Sequence, residues 1–329
     1  MEPDVTSIIS APEPQRRGKK WMLVLGLVAL LLCGASAIAG TLAMMALSGY
    51  SRDSRLGVGD AVAIVRVEGV ISSGESPAGY AGGAFSERVI KHLKWAEADS
   101  SVKAVVLRVN SPGGGVVASN EIYEELLEID KPIVASMGET AASGGYYIAC
   151  AADKIVANPA TMTGSIGVIS QIVELDELLE KVGVEVIVIK SGALKDVGSF
   201  HRDMTDEEQA LFQAMIDEVY QSFVRIVAQG RGLPEEEVRD LADGRIYTGA
   251  QAEALGLVDE LGNLPRAIEL AAEMGGIEGE PRLVEYERRE RSLFELLFGL
   301  ASPAQPFSEM LELLELEAVP SLQYRYVGP

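Results

Sequence analysis

Residues 103–129 read KAVVLRVNSPGGGVVASNEIYEELLEI and carry the signals that decide the fold. Lys103–Val109 is rich in valine and predicts a buried strand, and Asn110–Val116 predicts a tight glycine turn. In Val117–Ile129 the apolar residues recur near helical spacing, which predicts an amphipathic helix. A strand, a turn and a helix in this order are typical of a βαβ unit with a parallel sheet.

The same alternation of strands and helices continues on both sides of this unit. Apolar runs predict four more strands: Ala61–Ile71, Pro132–Met137, Lys154–Ala157 and Val182–Ile189. Helical patterns cover Phe85–Glu97, Gly144–Ala152, Pro234–Leu241, Gly249–Leu255 and Leu264–Met274. A long helix is predicted from Thr205, with an apolar stripe at Leu211, Met215, Val219 and Phe223. The predicted fold class is therefore α/β with a mostly parallel sheet covered on both faces.

Composition narrows the classes of function. The chain has 329 residues, of which 48% are apolar and 23% charged, as in globular proteins. A net charge of −21 repels phosphates and argues against nucleic-acid binding. Two cysteines (Cys33 and Cys150) and two histidines (His92 and His201) supply neither a disulfide framework nor a clustered metal site. We therefore expect no metal and no cofactor.

An uncharged segment lies near the N-terminus. Between Lys20 and Arg52 there are 31 residues without a charge, and a bilayer core requires only about 20 apolar residues. The preceding RRGKK cluster indicates a cytoplasmic N-terminus at 1–20, an anchor at 21–49 and an exported domain beyond it. A cleaved signal peptide ending near Ala35-Ser36-Ala37 is the alternative. A linker at 50–60, a folded domain at 61–275 and an extension at 276–329 follow.

Two segments suggest catalysis of acyl transfer. The glycines of Asn110–Val116 let backbone N–H groups approach a ligand, although a tight βα turn explains them equally well. Ser143 lies among small residues at a predicted strand-to-helix junction, in GETAASGGYYIACAAD. A nucleophile suits this place because the Gly144 N–H can face a developing oxyanion. A helix N-cap is the simpler interpretation of Ser143.

A third segment, Ile189–Glu208, offers lysines as candidate bases. His92 is predicted on the polar face of a helix and His201 as exposed, so neither histidine is well placed to activate Ser143. A lysine acts as a base where burial favours its neutral form. The apolar residues before Lys195 favour its burial, and Lys190 is the rival base. Asp196 opposes neutrality unless it points to the other face of an extended segment.

The motifs NSPGGG, AASGGYYIA, TGSIGV and SGALKD, in this order, resemble the signal peptide peptidase A family over roughly Val62–Met274. The resemblance implies a Clp protease/crotonase-like fold, with a repeated ββα-type core and one N-terminal transmembrane helix. It also implies a Ser-Lys endopeptidase with Ser143 as nucleophile and Lys195 as general base. The other implied roles are oxyanion donors at Gly114 and Gly144, with Gly113 a close competitor, and orientation of the lysine by Ser165.

The resemblance also implies substrates and partners. We expect hydrolysis of membrane-derived peptides, such as cleaved signal peptides, by a homo-oligomer at the membrane. Small or aliphatic side chains are expected next to the cut, in a groove that includes Gly113, Thr163, Gly164 and Ile166. A crotonase-like acyl-CoA enzyme and a non-catalytic membrane scaffold are the alternatives on the same fold. The C-terminal SLQYRYVGP is predicted to be extended and is hypothesised to lie in a neighbouring active-site groove.

Overall fold

The computed structural model describes residues 59–75, 82–286 and 323–325. The anchor predicted at 21–49, the residues before it and most of the C-terminal extension lie outside the described residues. None of the helices in the described part of the chain combines the length and apolarity needed to cross a bilayer.

A large sheet forms the centre of the domain. Its strands are β1 Ala61–Glu68, β4 Val102–Ser111, β6 Ile133–Ala142, β7 Lys154–Ala157, β8 Met162–Gly164, β9 Ile246–Thr248, β10 Glu260–Leu261 and β11 Arg282–Glu285. Along the main path of the sheet the strand order is β10-β7-β6-β4-β1-β11, and all neighbours on this path are parallel. Two shorter strands extend β6 at its carboxyl end: β8 pairs with β6 in parallel, and β9 pairs with β8 antiparallel.

A smaller sheet lies at the carboxyl end of β4. Its strands are β2 Ile71–Ser72, β3 Ala84–Phe85, β5 Gly113–Gly115 and β12 Gln323–Arg325. The order is β12-β5-β2-β3, and β12 is antiparallel to β5. The glycine turn of the sequence is therefore a strand with a neighbour on each side.

Helices cover both faces of the large sheet. They are α1 Ser86–Ala98, α2 Val116–Leu127, α3 Gly144–Ala149, α4 Asp176–Val182, α5 Asp206–Arg231, α6 Glu235–Leu241, α7 Gly249–Ala254 and α8 Leu264–Met274. Helices α1, α2, α3 and the second half of α5 pack on one face, and α8 packs on the other.

The central strands are apolar at successive positions because both of their faces are buried. In β1, Ala63 and Val65 point to the α1–α2 side, whereas Val62 and Ile64 point to α8. This pattern is typical of a parallel sheet with helices on both sides. The α/β fold with a mostly parallel sheet is thus confirmed.

Two expectations differ from the structure. The predicted strand Val182–Ile189 is wrong: α4 ends at Val182, and residues 183–189 are exposed and pair with no strand in the described part of the chain. Ile187 and Ile189 are 79% and 97% exposed, so these apolar side chains are not buried within this chain. Along α5, Leu211 and Met215 are also exposed, because only the later turns of this helix reach the core.

Candidate active site

Ser143 occupies a strained junction between β6 and α3. Its φ of 52° and ψ of −118° are unusual for a residue with a Cβ atom. Two hydrogen bonds of 2.8 Å hold it: its N–H donates to the Gly164 carbonyl, and its carbonyl accepts from the Tyr147 N–H. Strain maintained by the surrounding structure is typical of functional positions.

The glycine strand β5 passes very close to the start of α3. Gly113 has a φ of +95°, and a Cβ atom at this position would lie 2.5 Å from the Gly144 nitrogen. The same Cβ would collide with the carbonyl oxygen of Tyr324. The Gly113 N–H donates to the Ser111 hydroxyl at 3.1 Å. Glycine is therefore required at position 113, because the Tyr324 carbonyl and the Gly144 nitrogen leave no room for a side chain there.

Strand β12 lies in a groove between two backbone segments. Tyr324 pairs with Gly114 of β5 on one side. On the other side, Gln323 and Ile169 exchange two N–H···O hydrogen bonds of 3.1 Å. The predicted extension of the C-terminal segment is thus observed at Gln323–Arg325, and the groove belongs to the same chain.

The side chain of Tyr324 fills an aromatic pocket and is 1% exposed. Its ring centroid lies 4.9 Å from that of Tyr147 on α3 and 4.8 Å from that of Phe223 on α5. The Tyr324 hydroxyl donates to the Val219 carbonyl at 3.3 Å. Burial raises the pKa of both Tyr324 and Tyr147 well above the usual tyrosine value.

A cleft of about 450 Å³ opens beside Ser143. Helix α5 forms one wall, and the segments after β8 and α6 form the others. The lining residues are Ser143, Ser165, Gly167, Val168, Ile169, Ile216, Asp217, Tyr220, Ala242, Asp243, Gly244 and Arg325. The cleft thus adjoins Arg325, which follows Tyr324 in β12, and it can receive the continuation of an extended chain.

Ser165 shares this cleft with Ser143. Its φ is 51°, and its N–H donates to the Arg245 carbonyl at 2.8 Å. Of the other groove residues expected around it, Thr163 donates its hydroxyl to the Ala141 carbonyl at 2.7 Å, and Ile166 is fully buried. Neither of these two residues lines the cleft, whose lining continues from Ser165 to Gly167.

Lys195 does not share the cleft with Ser143 in this chain. It is in a 3₁₀ turn, Ala193–Asp196, and its side chain is exposed, contrary to the expected burial. Its N–H donates to the Gly192 carbonyl at 3.2 Å, but its side chain makes no hydrogen bond or ion pair among the described residues, and Lys195 does not line the cleft. The segment is a turn and not the extended chain expected around Asp196.

Asp196 is bound to other cations. Its carboxylate accepts from Arg202 at 2.8 Å and from Lys190 at 2.6 Å. These hydrogen bonds, that of Arg202 above all, hold the pKa of Asp196 well below its usual range. Arg202 also pairs with Glu208 at the start of α5 and lowers the pKa of that carboxyl to about 2. The Lys195 turn is thus tied to α5, and Lys190 is held by Asp196.

The histidines lie outside the cleft. His92 stacks on Trp95 at 5.6 Å, and His201 packs edge-on against Phe200 at 5.5 Å. Neither lines the cleft beside Ser143.

Sequence reasoning missed the aromatic pocket and the second side of the groove. Tyr147 lies within the predicted helix Gly144–Ala152 and Phe223 on the apolar stripe of α5, and neither pattern distinguishes the wall of a pocket from the core. Ile169 follows the TGSIGV motif without a signal of its own. Only the pairing of Gln323–Arg325 with segments more than 150 residues away identifies these roles.

Comparisons with known proteins show which family the chain is similar to. The model of peptidase family S49 matches residues 125–278, and the Clp protease model matches residues 81–166. The chain is 45% identical to the Synechocystis sp. protein "Putative protease slr0021" over 258 residues, 77% of this chain and 88% of that protein.

Two further relatives are longer than this chain. Identity is 37% with "Serine protease SPPA, chloroplastic" of Arabidopsis thaliana, over 74% of this chain and 37% of that protein. Identity is 46% with "Putative signal peptide peptidase SppA" of Enterococcus faecium, over 54% of this chain and 52% of that protein. The matched segment thus spans about a third to a half of these two relatives. Together with the fold, these matches confirm that the chain belongs to peptidase family S49, the signal peptide peptidase A family, and is a serine protease.

Proposed function

We propose that this protein is a membrane-anchored endopeptidase that hydrolyses membrane-derived peptides, such as cleaved signal peptides, with a Ser143–Lys195 dyad. The observation that carries the proposal is the groove beside Ser143, where Gln323–Arg325 pairs with β5 on one side and Ile169 on the other. A peptide substrate takes the place of Gln323–Arg325 and binds by strand addition, through backbone hydrogen bonds that are independent of its sequence.

In this mechanism the Ser143 hydroxyl attacks the peptide carbonyl carbon. The neutral amine of Lys195 accepts the hydroxyl proton and returns it to the departing amine, and water then hydrolyses the acyl-enzyme. The N–H groups of Gly114 and Gly144 stabilise the oxyanion. The bond from the Gly113 N–H to Ser111 supports this choice of donors, since it leaves Gly113 engaged elsewhere. Ser165 orients the lysine amine from the cleft that it shares with Ser143.

A neighbouring copy of the chain supplies Lys195 in this proposal. Two observations support a homo-oligomer: Lys195 is exposed, and the segment before it exposes apolar side chains such as Ile187 and Ile189. Packing this segment on a second copy removes that apolar surface from water. The same contact buries the lysine, which favours its uncharged form.

Three activity measurements test the dyad. Ser143→Ala and Lys195→Ala, each purified as a full chain, are expected to lose peptide cleavage, whereas Lys190→Ala, the matched lysine variant, is expected to retain it. Full activity of either dyad variant contradicts the mechanism.

Mixed assemblies then show whether the lysine of the dyad comes from the same chain or from a neighbouring one. When Ser143→Ala and Lys195→Ala chains are co-expressed in equal amounts, a dyad formed between chains restores about a quarter of wild-type activity by random assembly. A dyad within one chain restores none. Assemblies purified through a different affinity tag on each chain give a direct reading.

The segment 21–49 is proposed to anchor the protein in a cell membrane as a single pass. Its charge pattern supports a cytoplasmic N-terminus and an extracytoplasmic catalytic domain. We expect the domain in intact spheroplasts to be degraded by externally added protease. Protection of the domain until the cells are lysed contradicts this orientation.

A further inference from the structure

We propose that Arg202 is a positioning residue for the Lys195 base, because it fixes the turn that presents the lysine and balances the charge of the carboxylate next to it. The inference rests on the proposed Ser143–Lys195 dyad and adds a residue outside that dyad. Arg202 acts through Asp196, the residue that follows Lys195 in the chain.

Arg202 binds Asp196 at three oxygen atoms. Its Nε donates to Oδ2 at 3.1 Å and its Nη2 to Oδ1 at 2.8 Å, so the guanidinium and the carboxylate form a bidentate pair. Nη2 also donates to the Asp196 carbonyl at 3.2 Å. A bidentate pair fixes direction as well as distance. The 3₁₀ turn Ala193–Asp196 is therefore held at its last residue, directly after Lys195.

The same guanidinium binds the start of helix α5. Nη1 donates to Glu208 Oε2 at 2.9 Å, and Nη2 pairs with Glu208 Oε1. Glu208 is 2% exposed and belongs to the capping box of the helix, since it accepts from the Thr205 N–H at 2.9 Å. A planar guanidinium with five N–H donors can join two carboxylates in a fixed geometry, whereas a lysine ammonium is a point charge. Arg202 thus connects the lysine turn to the first turn of a 26-residue helix.

The charges around the lysine turn balance one another. Lys190 is the second cation, and its Nζ donates to Asp196 Oδ1 at 2.6 Å. Together with Arg202 and Glu208, this pair makes a cluster of two positive and two negative charges. If one cation is removed, a negative charge remains beside Lys195 and favours the charged amine, which cannot accept a proton. If the Asp196 charge is removed instead, a positive charge remains and favours the neutral amine.

Other carboxylates would face the lysine in the proposed assembly. There the Lys195 amine meets the cleft beside Ser143 of a neighbouring copy, and Asp217 and Asp243 line that cleft. These two carboxylates are the same in every variant of the lysine turn. Differences between the variants therefore report the charges of the turn itself.

Peptide cleavage measured as a function of pH tests the proposal in full-length chains. Activity rises with pH as the base loses its proton, and this rise is the acid limb of the profile. In Arg202→Gln we expect the acid limb to move to higher pH by about 0.5 unit or more, and in Asp196→Asn to lower pH by a similar amount. A substitution that only loosens the structure does not move the limb in opposite directions. Limbs that stay in place, or that move in the same direction, overturn the proposal.

Two further variants separate position from charge. Arg202→Lys keeps the cation and loses the planar guanidinium, so we expect kcat to fall about 10- to 100-fold with the acid limb unchanged. Lys190→Ala loses a cation and keeps the bidentate pair on Asp196. We therefore expect its acid limb to move to higher pH, with a much smaller loss of kcat at the optimum than in Arg202→Lys. Wild-type kcat in Arg202→Lys contradicts the positioning role.

Arg266 provides the matched control on α8, which packs on the other face of the large sheet from α5. Like Arg202, it pairs with two carboxylates, those of Glu260 and Glu269. Arg266→Gln is expected to leave kcat and the acid limb as in the wild type. A loss or a shift as large as in Arg202→Gln contradicts a role specific to the lysine turn.

Chemical labelling of Lys195 tests the proposal without relying on catalysis. Acetic anhydride reacts with the neutral amine, and mass spectrometry of the fragment that contains Lys195 measures the labelled fraction at each pH. We expect half-maximal labelling at higher pH in Arg202→Gln, and at lower pH in Asp196→Asn, than in the wild type. Equal labelling profiles overturn the proposal. If Lys195→Ala cleaves peptides at the wild-type rate, the proposed dyad fails, and the labelling profiles alone decide whether Arg202 controls the amine.

Discussion

Replacing Gly113 with alanine is expected to abolish peptide cleavage while the chain remains folded. At a φ of +95°, the new side chain costs about 1–2 kcal/mol of backbone strain. Its Cβ would also lie 2.5 Å from the Gly144 nitrogen and collide with the carbonyl in the groove. Because backbone must move to relieve this contact, the oxyanion donors lose their alignment. Misalignment of one donor lowers kcat by about 10²–10³-fold, so we expect kcat/KM to fall at least about 100-fold.

Gly279→Ala is the matched control. Gly279 has a φ of +86°, and a Cβ there has nothing within 4 Å. The two variants share the strain, and only Gly113→Ala has the collision. Urea unfolding is expected to show a loss of about 1–2 kcal/mol in Gly279→Ala, with wild-type peptide cleavage. The reasoning is refuted if folded Gly113→Ala cleaves peptides within about threefold of this control.

Three other predictions concern the support of the site. Thr205→Ala removes the capping box of α5 and is expected to lower the free energy of unfolding by about 1 kcal/mol in urea titrations. Although burial opposes it, the hydrogen bond from Arg231 lowers the pKa of Asp259. The Arg231–Asp259 pair therefore stabilises the fold at pH values above the usual carboxyl pKa, and this stabilisation is lost as the pH falls through the lowered pKa. In Asp259→Asn the free energy of unfolding is expected to depend less steeply on pH below about pH 4 than in the wild type. Burial raises the pKa of Cys150 to about 12, so iodoacetamide is expected to modify this thiol only after unfolding. Mass spectrometry of the treated protein measures the modification.

The fold was largely predictable because its signals are local. Lys154–Ala157 and Leu264–Met274 have the bounds that the sequence predicted. The strand and helix on either side of Ser143 were also recognised, since small residues and glycines mark that junction. Where periodicity and turn residues agree within one segment, the sequence is sufficient to predict that strand or helix.

The remaining features depend on contacts between distant segments. The run Val182–Ile189 has strand composition but finds no partner strand in the described part of the chain. The exposure of Lys195 likewise contradicts the burial suggested by its apolar neighbours. The pairing of Tyr324 with Gly114 joins residues more than 200 positions apart, and no periodicity encodes it. These are also the elements that define the groove and the proposed base.

The apolar segment ahead of Lys195 gives the proposed mechanism a concentration dependence. If burial of Ile187 and Ile189 and delivery of the amine occur in one contact, an isolated chain is silent and dilution inactivates the enzyme. Confinement to a membrane surface favours assembly and activity, because anchored chains meet far more often than chains free in solution. Newly made copies would then remain harmless to their surroundings until enough of them share one patch of bilayer.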